Sequence, residues 1–264
     1  MDLQLKGKRA LVTGSTAGIG FAAARLLAAE GARVTINGRQ QKRVESAVRS
    51  ILETIGGADV DGVAADLATA QGCAQVIAQI PDLDVLVNNV GIFEPKAFEE
   101  ISDQDWMRFF ETNVMSGVRL SRHYLPRMRA RNWGRVVFVS SESAVQIPVE
   151  MIHYGMTKTA QLAIARGLAE TTVGSGVTVN SVLPGPTASE GVSTFVTQMA
   201  QTRGVDFKAM EREFFHTARP SSLLQRFTTP EEVAAMIVYV CSAAASATNG
   251  AALRVDGGVV RSIV

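Results

Sequence analysis

The sequence predicts an α/β fold in which helices flank a doubly wound parallel sheet of about seven strands. Short apolar runs alternate with longer helical stretches between residues 9 and 255. Within these runs the hydrophobic residues are continuous rather than alternating with polar ones, which is typical of strands buried on both faces of a parallel sheet. The sequence has no linker-like segment and no internal repeat, so we expect one domain over residues 1–264.

The strands and helices are assigned in chain order from these runs and from the residues that end them. The expected strands cover residues 9–13, 33–36, 60–65, 84–87, 135–139, 177–182 and 251–255. The expected helices between them cover residues 19–30, 40–55, 69–80, 102–131, 151–173 and 230–242. The early helices stop at Gly31, Gly56 and Pro81, residue types that commonly end a helix. Ser102 is the expected N-cap of the fourth helix, and Pro126 is expected to bend it.

The segment from residue 188 to residue 229 follows the sixth strand and is expected to contain two short amphipathic helices. The apolar side chains that recur there at helical spacing are Val192, Phe195, Val196 and Met199, and then Phe207, Met210 and Phe214. Four arginines in this segment could bind an anion, but we expect them to be solvated surface charges: Arg203, Arg212, Arg219 and Arg226.

Composition and charge exclude several classes of protein. The chain has 264 residues, of which 47% are hydrophobic, and its formal net charge is +1 with no block of like charges. Nucleic acids and anionic membranes are therefore poor candidates for partners. The cysteines Cys73 and Cys241 lie far apart, and the histidines His123, His153 and His216 have no ligand-like spacing. We expect neither a disulfide framework nor a metal site.

The distribution of apolar residues gives no sign of targeting. Residues 1–8 are polar and mixed in charge and do not resemble a signal peptide. The most apolar run, residues 234–247, is too short to span a bilayer and predicts a buried helix. With only two cysteines, these features favour the cytoplasm.

A glycine-rich turn joins the first strand to the first helix, in the sequence Thr-Gly-Ser-Thr-Ala-Gly-Ile-Gly at residues 13–20. Glycines permit a tight turn there and let the backbone approach a phosphate. The following helix offers free N–H groups and a partial positive charge at its N-terminus. The position of the turn predicts a nucleotide-binding site, with a purely structural turn as the alternative.

Tyr154 and Lys158 are four residues apart, a spacing that places both side chains on one face of a helix. A free tyrosine has a pKa of about 10 and is almost entirely protonated at neutral pH. An ammonium about 4 Å away would favour the phenolate by about 4 kcal/mol at an effective dielectric constant of about 20. Such a lowering of the tyrosine pKa would suit a general acid or base. The spacing alone is common and gains weight from the other motifs.

Together, Thr-Gly-x-x-x-Gly-Ile-Gly and Tyr-x-x-x-Lys resemble the motifs of the classical short-chain dehydrogenase/reductase (SDR) family. The resemblance covers nearly the whole chain and implies a Rossmann-type fold that binds NAD(P). It includes Asn-Asn-Val-Gly at residues 88–91, with Val90 where the family usually has alanine, and Asp-Gly-Gly at residues 256–258.

The resemblance implies catalytic roles for Asn113, Ser141, Tyr154 and Lys158. Tyr154 would exchange a proton with the substrate oxygen, while Lys158 would hold the phenolate and bind the nicotinamide ribose. Ser141 would donate a hydrogen bond to the substrate, and its offset from Tyr154 favours it over Ser140. Asn113 would help to position a water that relays protons past Lys158.

The cofactor-binding residues implied by the glycine turn and by the resemblance are Gly14, Ser15, Thr16, Gly18, Ile19, Gly20, Asn37, Gly38, Arg39, Asp66, Leu67, Asn89, Val90, Gly91, Pro184, Gly185 and Thr187, with Tyr154 and Lys158. Asp66 would meet the adenine, and the loop after the sixth strand would contact the nicotinamide carboxamide. Glu142 and His153 could also line the site, although we expect them to be exposed to solvent.

The end of the second strand favours NADP(H). An NAD-preferring relative carries an acidic residue at the position of Gly38, where it accepts hydrogen bonds from the adenosine ribose. Gly38 cannot do so and would leave room for a 2′-phosphate, on which the Arg39 guanidinium can form paired hydrogen bonds. The usual second basic residue is missing, because Ser15 and Thr16 are neutral. NAD(H) is the alternative.

These features predict an NADP(H)-dependent oxidoreductase that interconverts an alcohol and a ketone or aldehyde. A nucleotide-binding scaffold protein of the same fold, without turnover, is the main alternative. An enoyl reductase is disfavoured, because such enzymes have a wider Tyr–Lys spacing. In this family the segment at residues 188–229 covers the substrate, so its apolar faces suggest a partly apolar pocket for a small molecule, unless they simply dock on the core.

The helix after Lys158 predicts self-association. Residues 159–169 are small and apolar nearly all round, so a monomer would leave one apolar face in water. The family pairs its fourth and fifth helices across a two-fold axis, which would cover that face. We expect a homo-oligomer, a tetramer or a dimer.

Overall fold

The computed structural model of the protein describes residues 2–204 and 206–263, except for the side chains of residues 193–195, 198–199 and 201. The strands found in this part of the chain are β1 (Arg9–Val12), β2 (Arg33–Gly38), β3 (Asp59–Ala64), β4 (Val85–Asn88), β5 (Gly134–Val139), β6 (Val177–Pro184) and β7 (Ala252–Val255). They form one sheet in the order β3-β2-β1-β4-β5-β6-β7, and every neighbouring pair is parallel. The predicted seven-stranded, doubly wound parallel sheet is confirmed.

Helices cover both faces of this sheet. They are α1 (Gly18–Ala29), α2 (Gln41–Thr54), α3 (Ala70–Gln79), α4 (Asp103–Phe110), α5 (Ser116–Ala130), α6 (Ile152–Glu170), α7 (Glu190–Arg203), α8 (Phe207–Thr217) and α9 (Pro230–Cys241). Because successive strand residues point to opposite faces, Val12 packs with α1, α2 and α9, whereas Leu11 packs with α3, α5 and α6. Within the described residues, every helix is too short or too polar to cross a bilayer.

The long helix predicted over residues 102–131 is present, but a π-helical turn at Glu111–Met115 separates α4 from α5. Ser102 is the N-cap as predicted: its hydroxyl accepts from the Asp105 N–H, and the Asp105 carboxylate accepts from the Ser102 N–H. Pro126 lies inside α5. Such π-turns add one residue to a helical turn and are frequent at functional sites. This one carries Asn113.

The apolar run at residues 234–247 is helical only as far as Cys241, so the expectation of a helix over the whole run is wrong. Ser242 is extended, and Ala243–Ala245 form a short 3-10 turn. The Nε atom of the buried Arg135 donates to the Ser242 carbonyl oxygen at 3.0 Å. This bond satisfies a carbonyl group just beyond the end of α9, where a positive charge is favourable.

The segment between β6 and α9 forms the two expected helices, α7 and α8. Their buried side chains pack with Phe227 from the following loop into a cluster that is separate from the core layers on the two faces of the sheet. The members of this cluster are Val196, Ala200, Met210, Phe215 and Phe227. The predicted apolar contacts of Phe195 and Met199 lie outside the described side chains.

The helix α6 turns Ala165 and Ala169 towards the sheet and exposes Thr159, Ala163 and Gly167 on its outer side. The exposed strip consists of small residues, which would allow a second helix to approach closely. This geometry is compatible with the expected homo-oligomer, which stays a prediction.

We expect the protein to form a homo-oligomer through this strip, and Ala163→Arg to lower the mass of the assembly. A guanidinium side chain cannot be accommodated between two helices that pack closely over alanine and glycine. Light scattering at micromolar concentration measures both masses, and Ala74→Arg, at an exposed alanine of α3, is the matched control. A monomeric wild type, or an unchanged mass for Ala163→Arg, would contradict this expectation.

Candidate active site

A cavity of about 480 Å³ opens at the edge of the sheet where the parallel strands end. Its wall includes the residues that follow three strands: 89 and 91 after β4, 140–143 after β5, and 184–187 at the end of β6. Tyr154 and Lys158 line it from α6, and residues of α7 and α8 close the far side. Folds of this kind bind their ligands at this edge of the sheet.

The glycine turn is held in shape by the start of the next loop. The Asn89 side-chain amide donates to the carbonyl oxygens of Thr13 (2.9 Å) and Gly14 (3.1 Å). Gly14 has a φ of +60°, and a Cβ there would lie 3.0 Å from a methyl of Val90. The N-cap of α1, Ala17, makes no side-chain capping bond, and the first turn has no acidic residue. The free N–H groups there suit an anion such as the pyrophosphate of a dinucleotide.

Ser15 and Asn37 form the scaffold beneath this turn. The Ser15 hydroxyl donates to the Val12 carbonyl oxygen at 2.6 Å and accepts from the Asn37 N–H at 3.0 Å. The Asn37 side chain accepts from the Gly14 N–H and donates to the carbonyl oxygens of Val63 and Ala65. Both side chains are buried and committed to protein partners, so they shape the nucleotide site rather than offer free groups to a ligand.

The structure shows why position 38 is a glycine, whereas the expected room for a 2′-phosphate stays a prediction. A Cβ on Gly38 would lie 2.5 Å from Cγ2 of Thr16 and 3.3 Å from Cγ2 of Val44, so the Thr16 methyl fills the space of a side chain at position 38. An acidic residue there would force Thr16 to move. Arg39, the next residue, is exposed at the surface.

The residues after β3 divide between surface and core. Asp66 is exposed. Within the described structure, the Ala68 N–H is the one donor that bonds to its carboxylate. Leu67 is 1% exposed and packs in the core with α3 and α5. Asp66 can therefore reach a ligand with its side chain, whereas Leu67 has only its backbone to offer.

Lys158 is buried beside the cavity without a carboxylate partner among the described residues. Its Nζ donates to the Val139 carbonyl oxygen at 2.9 Å and to Oε1 of Gln161 at 3.3 Å. Burial lowers the pKa of Lys158 to about 8. A Cβ on Gly91 would lie 3.3 Å from this ammonium. A glycine at this position therefore allows the loop that follows β4 (the β4 loop) to lie close to Lys158.

Tyr154 lines the same cavity, but its pKa differs from the expectation. Burial is the main cause that raises the pKa of the phenol above its usual range, and the Glu142 charge adds to it, while the nearby Ser141 hydroxyl and the Arg219 charge oppose this only in part. The expected lowering by Lys158 is absent, because that ammonium bonds to Val139 and Gln161 and lies 5.6 Å from the centre of the tyrosine ring. Ser140 also lines the cavity, but its hydroxyl donates to the Lys158 carbonyl oxygen.

Asn113 lies behind the cavity wall rather than on it. Its side chain accepts from the Ile92 N–H (2.8 Å) and donates to the Ile92 carbonyl oxygen (3.0 Å) and to the Thr157 hydroxyl (3.0 Å). The Gln161 amide donates to the Asn113 carbonyl oxygen at 2.5 Å and accepts from Lys158. Gln161 therefore links the Asn113 backbone to Lys158, and the predicted water beside Lys158 stays a prediction.

A buried ion pair in the cavity wall contradicts two expectations from the sequence. Glu142 and Arg219 were expected to be solvated, but they are 4% and 8% exposed, and Arg219 Nε lies 3.1 Å from Oε1 of Glu142. Arg219 also pairs with Glu150 at 3.2 Å. The sequence could have indicated that Glu142 lies in the site, because it directly follows Ser141. It could not indicate the same for Arg219, which is distant from Ser141 in the chain.

His153 is also buried, contrary to expectation. Its ring is 0% exposed and packs against Phe109 (4.0 Å between ring centres) and Trp106 (5.9 Å). Neither ring nitrogen has a hydrogen-bond partner in the described part of the chain. Burial lowers the pKa of this histidine, so it serves as a neutral packing residue beside Tyr154.

The model of the short chain dehydrogenase family matches residues 8–200. This chain belongs to that family, which confirms the resemblance seen in its motifs. It is 50% identical to the protein of Bacillus subtilis (strain 168) named uncharacterized oxidoreductase YvrD, with both chains covered completely. It is 33% identical to D-beta-hydroxybutyrate dehydrogenase of Cupriavidus necator, over 97% of this chain and 99% of that one.

Among solved structures, L-sorbose reductase from Gluconobacter frateurii, complexed with NADPH and L-sorbose, superposes with a TM-score of 0.93. The two proteins are 33% identical, and both chains are covered completely. The chain is thus an oxidoreductase that binds NAD(P), in a family whose members act on CH–OH groups of small molecules.

We expect Lys158→Met to stabilise the cofactor-free protein at neutral pH. The pKa of Lys158 is about 8 when folded against 10.5 as its ordinary value. Between these values the unfolded chain binds more protons than the folded one, so the contribution of Lys158 to stability is present above pH 10.5 and lost as the pH falls towards 8. Relative to wild type, the free energy of unfolding of the variant should therefore gain roughly 3 kcal/mol between high and neutral pH.

Urea unfolding at neutral pH and at about pH 10.5 measures this change. Lys42→Met, at an exposed lysine of α2, is the control and should show the same difference from wild type at both pH values. A difference for Lys158→Met that does not depend on pH would contradict the burial of a charged ammonium.

Proposed function

We propose that the protein is an NADP(H)-dependent oxidoreductase that interconverts an alcohol and a ketone or aldehyde, with Tyr154 as the general acid and base. One observation supports this most directly. Ser141, Tyr154 and Lys158 line a single cavity together with Gly91 and Thr187 from the neighbouring loops. A proton donor, a hydrogen-bond donor and a cation thus meet where a carbonyl substrate and a nicotinamide ring can both fit.

The residues around the cavity fit a dinucleotide cofactor. The uncapped start of α1 offers N–H groups for a pyrophosphate, and the exposed carboxylate of Asp66 can meet the adenine. Ile19, Gly91 and the residues at the end of β6 would surround the nicotinamide: Pro184, Gly185 and Thr187. When bound, NADP(H) supplies or accepts the hydride, which no side chain can do.

The side chains of this chain handle the proton. In the reducing direction the carbonyl oxygen gains negative charge and takes the proton of the Tyr154 phenol, and in the oxidising direction the phenolate takes the proton of the alcohol. The ammonium of Lys158 bonds to Val139 and Gln161 in the structure, and in the proposed reaction it stabilises the phenolate that forms in the same cavity. The Ser141 hydroxyl donates to the substrate oxygen. Because burial raises the pKa of Tyr154, this stabilisation is needed at neutral pH.

Asn113 acts through other residues, as a positioning group. Its side chain fixes Ile92 on the cavity wall, and its carbonyl oxygen holds Gln161, which in turn holds Lys158. The π-turn supports this role, because it changes the backbone pairing around Asn113. The substrate would be covered by residues 188–229, whose helices α7 and α8 line the cavity, within a single cytoplasmic domain that assembles as a homo-oligomer.

The preference for NADP(H) rests on Gly38 and Arg39. A carboxylate that could bind the ribose hydroxyls is absent at position 38, and the exposed Arg39 guanidinium is free to meet a phosphate. The L-sorbose reductase structure contains NADPH, which supports the same choice of cofactor.

We expect Tyr154→Phe to lower the turnover of ketones with NADPH by at least about a hundredfold, the usual scale of a lost general acid. Cofactor binding should persist, because the hydroxyl group is the only change. Stopped assays of NADPH oxidation give the turnover, and quenching of protein fluorescence gives the affinity. Tyr239→Phe, on the partly exposed tyrosine of α9, is the control. Activity of Tyr154→Phe within a few-fold of wild type would remove Tyr154 from the mechanism.

We expect kcat/KM to be higher with NADPH than with NADH, and Arg39→Ala to lower only the NADPH value, by about ten- to 150-fold. This range corresponds to the loss of a charge-assisted hydrogen bond of about 1.5–3 kcal/mol. Arg49→Ala, at another exposed arginine, should leave the ratio of the two values unchanged. A wild type that prefers NADH, or an equal loss with both cofactors, would show that Arg39 does not bind a 2′-phosphate.

A further inference from the structure

The proposed chemistry leaves the carboxylate of Glu142 without a role, although it lies beside the reacting groups. Glu142 is 4% exposed, lines the cavity, and follows Ser141 directly in the chain. Its Oε2 atom accepts the Ser141 hydroxyl at 2.5 Å, and its Oε1 atom accepts from Arg219 at 3.1 Å. A buried charge next to a reacting hydroxyl has a large effect on which ligands can bind there.

The Ser141 hydroxyl has one proton, and in this structure that proton forms the hydrogen bond to Glu142. An ionised carboxylate can only accept hydrogen bonds, so Ser141 is the donor to Glu142. The Ser143 N–H donates to the Ser141 oxygen at 3.1 Å. Ser141 can therefore donate to a substrate carbonyl only after another donor has replaced it at Glu142.

The charges around Glu142 indicate what that donor is. One guanidinium, Arg219, faces two carboxylates, Glu142 and Glu150, so this cluster keeps one negative charge. A carboxylate group of a substrate would be repelled at Glu142. A neutral hydroxyl group would donate to Glu142 and complete its hydrogen bonding. The rest of the cavity is largely apolar, with Phe93, Met151 and Phe214 in its wall.

We propose that the substrate is an α-hydroxyketone, or a vicinal diol in the oxidising direction, and that Glu142 binds the hydroxyl group next to the reacting carbon. This inference rests on the proposed function. The substrate hydroxyl donates to Glu142, and the Ser141 hydroxyl then turns from Glu142 to the substrate carbonyl oxygen. That oxygen takes the proton of Tyr154 as the proposed reaction runs, and no further bond is made or broken. A ketone without the hydroxyl leaves Ser141 bound to Glu142 and reacts more slowly.

The test compares kcat/KM for 1-hydroxybutan-2-one and 1-methoxybutan-2-one at saturating NADPH. Both substrates carry an electron-withdrawing oxygen, but only the first has a proton to donate. We expect wild type to prefer the hydroxyketone at least tenfold. Glu142→Gln removes the charge at constant shape, and Glu142→Leu removes the acceptor, so we expect the preference to fall at least fivefold in the first and to vanish in the second.

Two measurements separate this role from a loss of structure. Arg219 keeps Glu150 as a partner in both Glu142 variants, and an unchanged NADPH affinity by fluorescence shows that the fold is intact. Glu150→Gln removes the other carboxylate on Arg219 but keeps the Ser141–Glu142 contact, so it should retain the wild-type preference. Substrate preferences are compared only for variants that keep the wild-type NADPH affinity.

A wild-type preference near one, or a preference unchanged in both Glu142 variants, would overturn the assignment of Glu142 while turnover of the ketones still supported the proposed function. No NADPH oxidation with any carbonyl would overturn the proposed function and this inference together. Equal loss of preference in Glu150→Gln would assign the effect to the charge on Arg219 and contradict a specific contact at Glu142.

Discussion

The site depends on a lysine ammonium that is buried without a carboxylate partner in the described structure. Lys158 is held by a backbone carbonyl group at the end of β5 and by Gln161 one turn further along α6. A buried charge is costly unless dipoles surround it, and these dipoles are fixed because they belong to the sheet and to a packed helix. The glycine at position 91 is part of the same arrangement, since a side chain there would crowd the ammonium.

The surrounding elements follow from this constraint. Gln161 can hold Lys158 only because the Asn113 carbonyl oxygen holds Gln161, and Asn113 is placed by a π-turn in an otherwise α-helical stretch. The Asn113 side chain fixes Ile92, which belongs to the loop over the cavity. A chain of hydrogen bonds therefore runs from the β4 loop through the π-turn and α6 to the cation. A charged site within low-dielectric surroundings acts more strongly on a neighbouring phenol than it would in water.

The sequence predicted the regular parts of this molecule well, because burial on both faces leaves a strong pattern of continuous apolar strands. The capping box at Ser102 and the glycine turn after β1 also have local signals. The π-turn at Asn113 has none, since the residues Glu111–Met115 read as ordinary helix. The contact between Glu142 and Arg219 depends on how residues 188–229 fold back over the sheet, and only the structure brings these two side chains together.

Two further differences between the sequence-based expectations and the structure have physical causes. The proximity of Tyr154 and Lys158 along α6 suggested a lowered phenol pKa, yet burial acts in the opposite direction and dominates. Gly38 was identified by its lack of a carboxylate, and only the structure shows that Thr16 occupies the place that a side chain at position 38 would need. In both cases the sequence identified the residue but not the side chains that surround it. Packing of this kind cannot be derived from spacing, because it joins residues from separate strands and helices.

The central claim is that hydride passes from NADPH to a carbonyl carbon in this cavity while Tyr154 supplies the proton. The most direct measurement uses NADPH with deuterium at both C4 positions and an NMR spectrum of the alcohol formed from a ketone. We expect deuterium at the carbinol carbon of the product and none at the neighbouring carbons. A product without deuterium at that carbon, or a protein that binds NADPH and forms no alcohol from any ketone, would contradict the account.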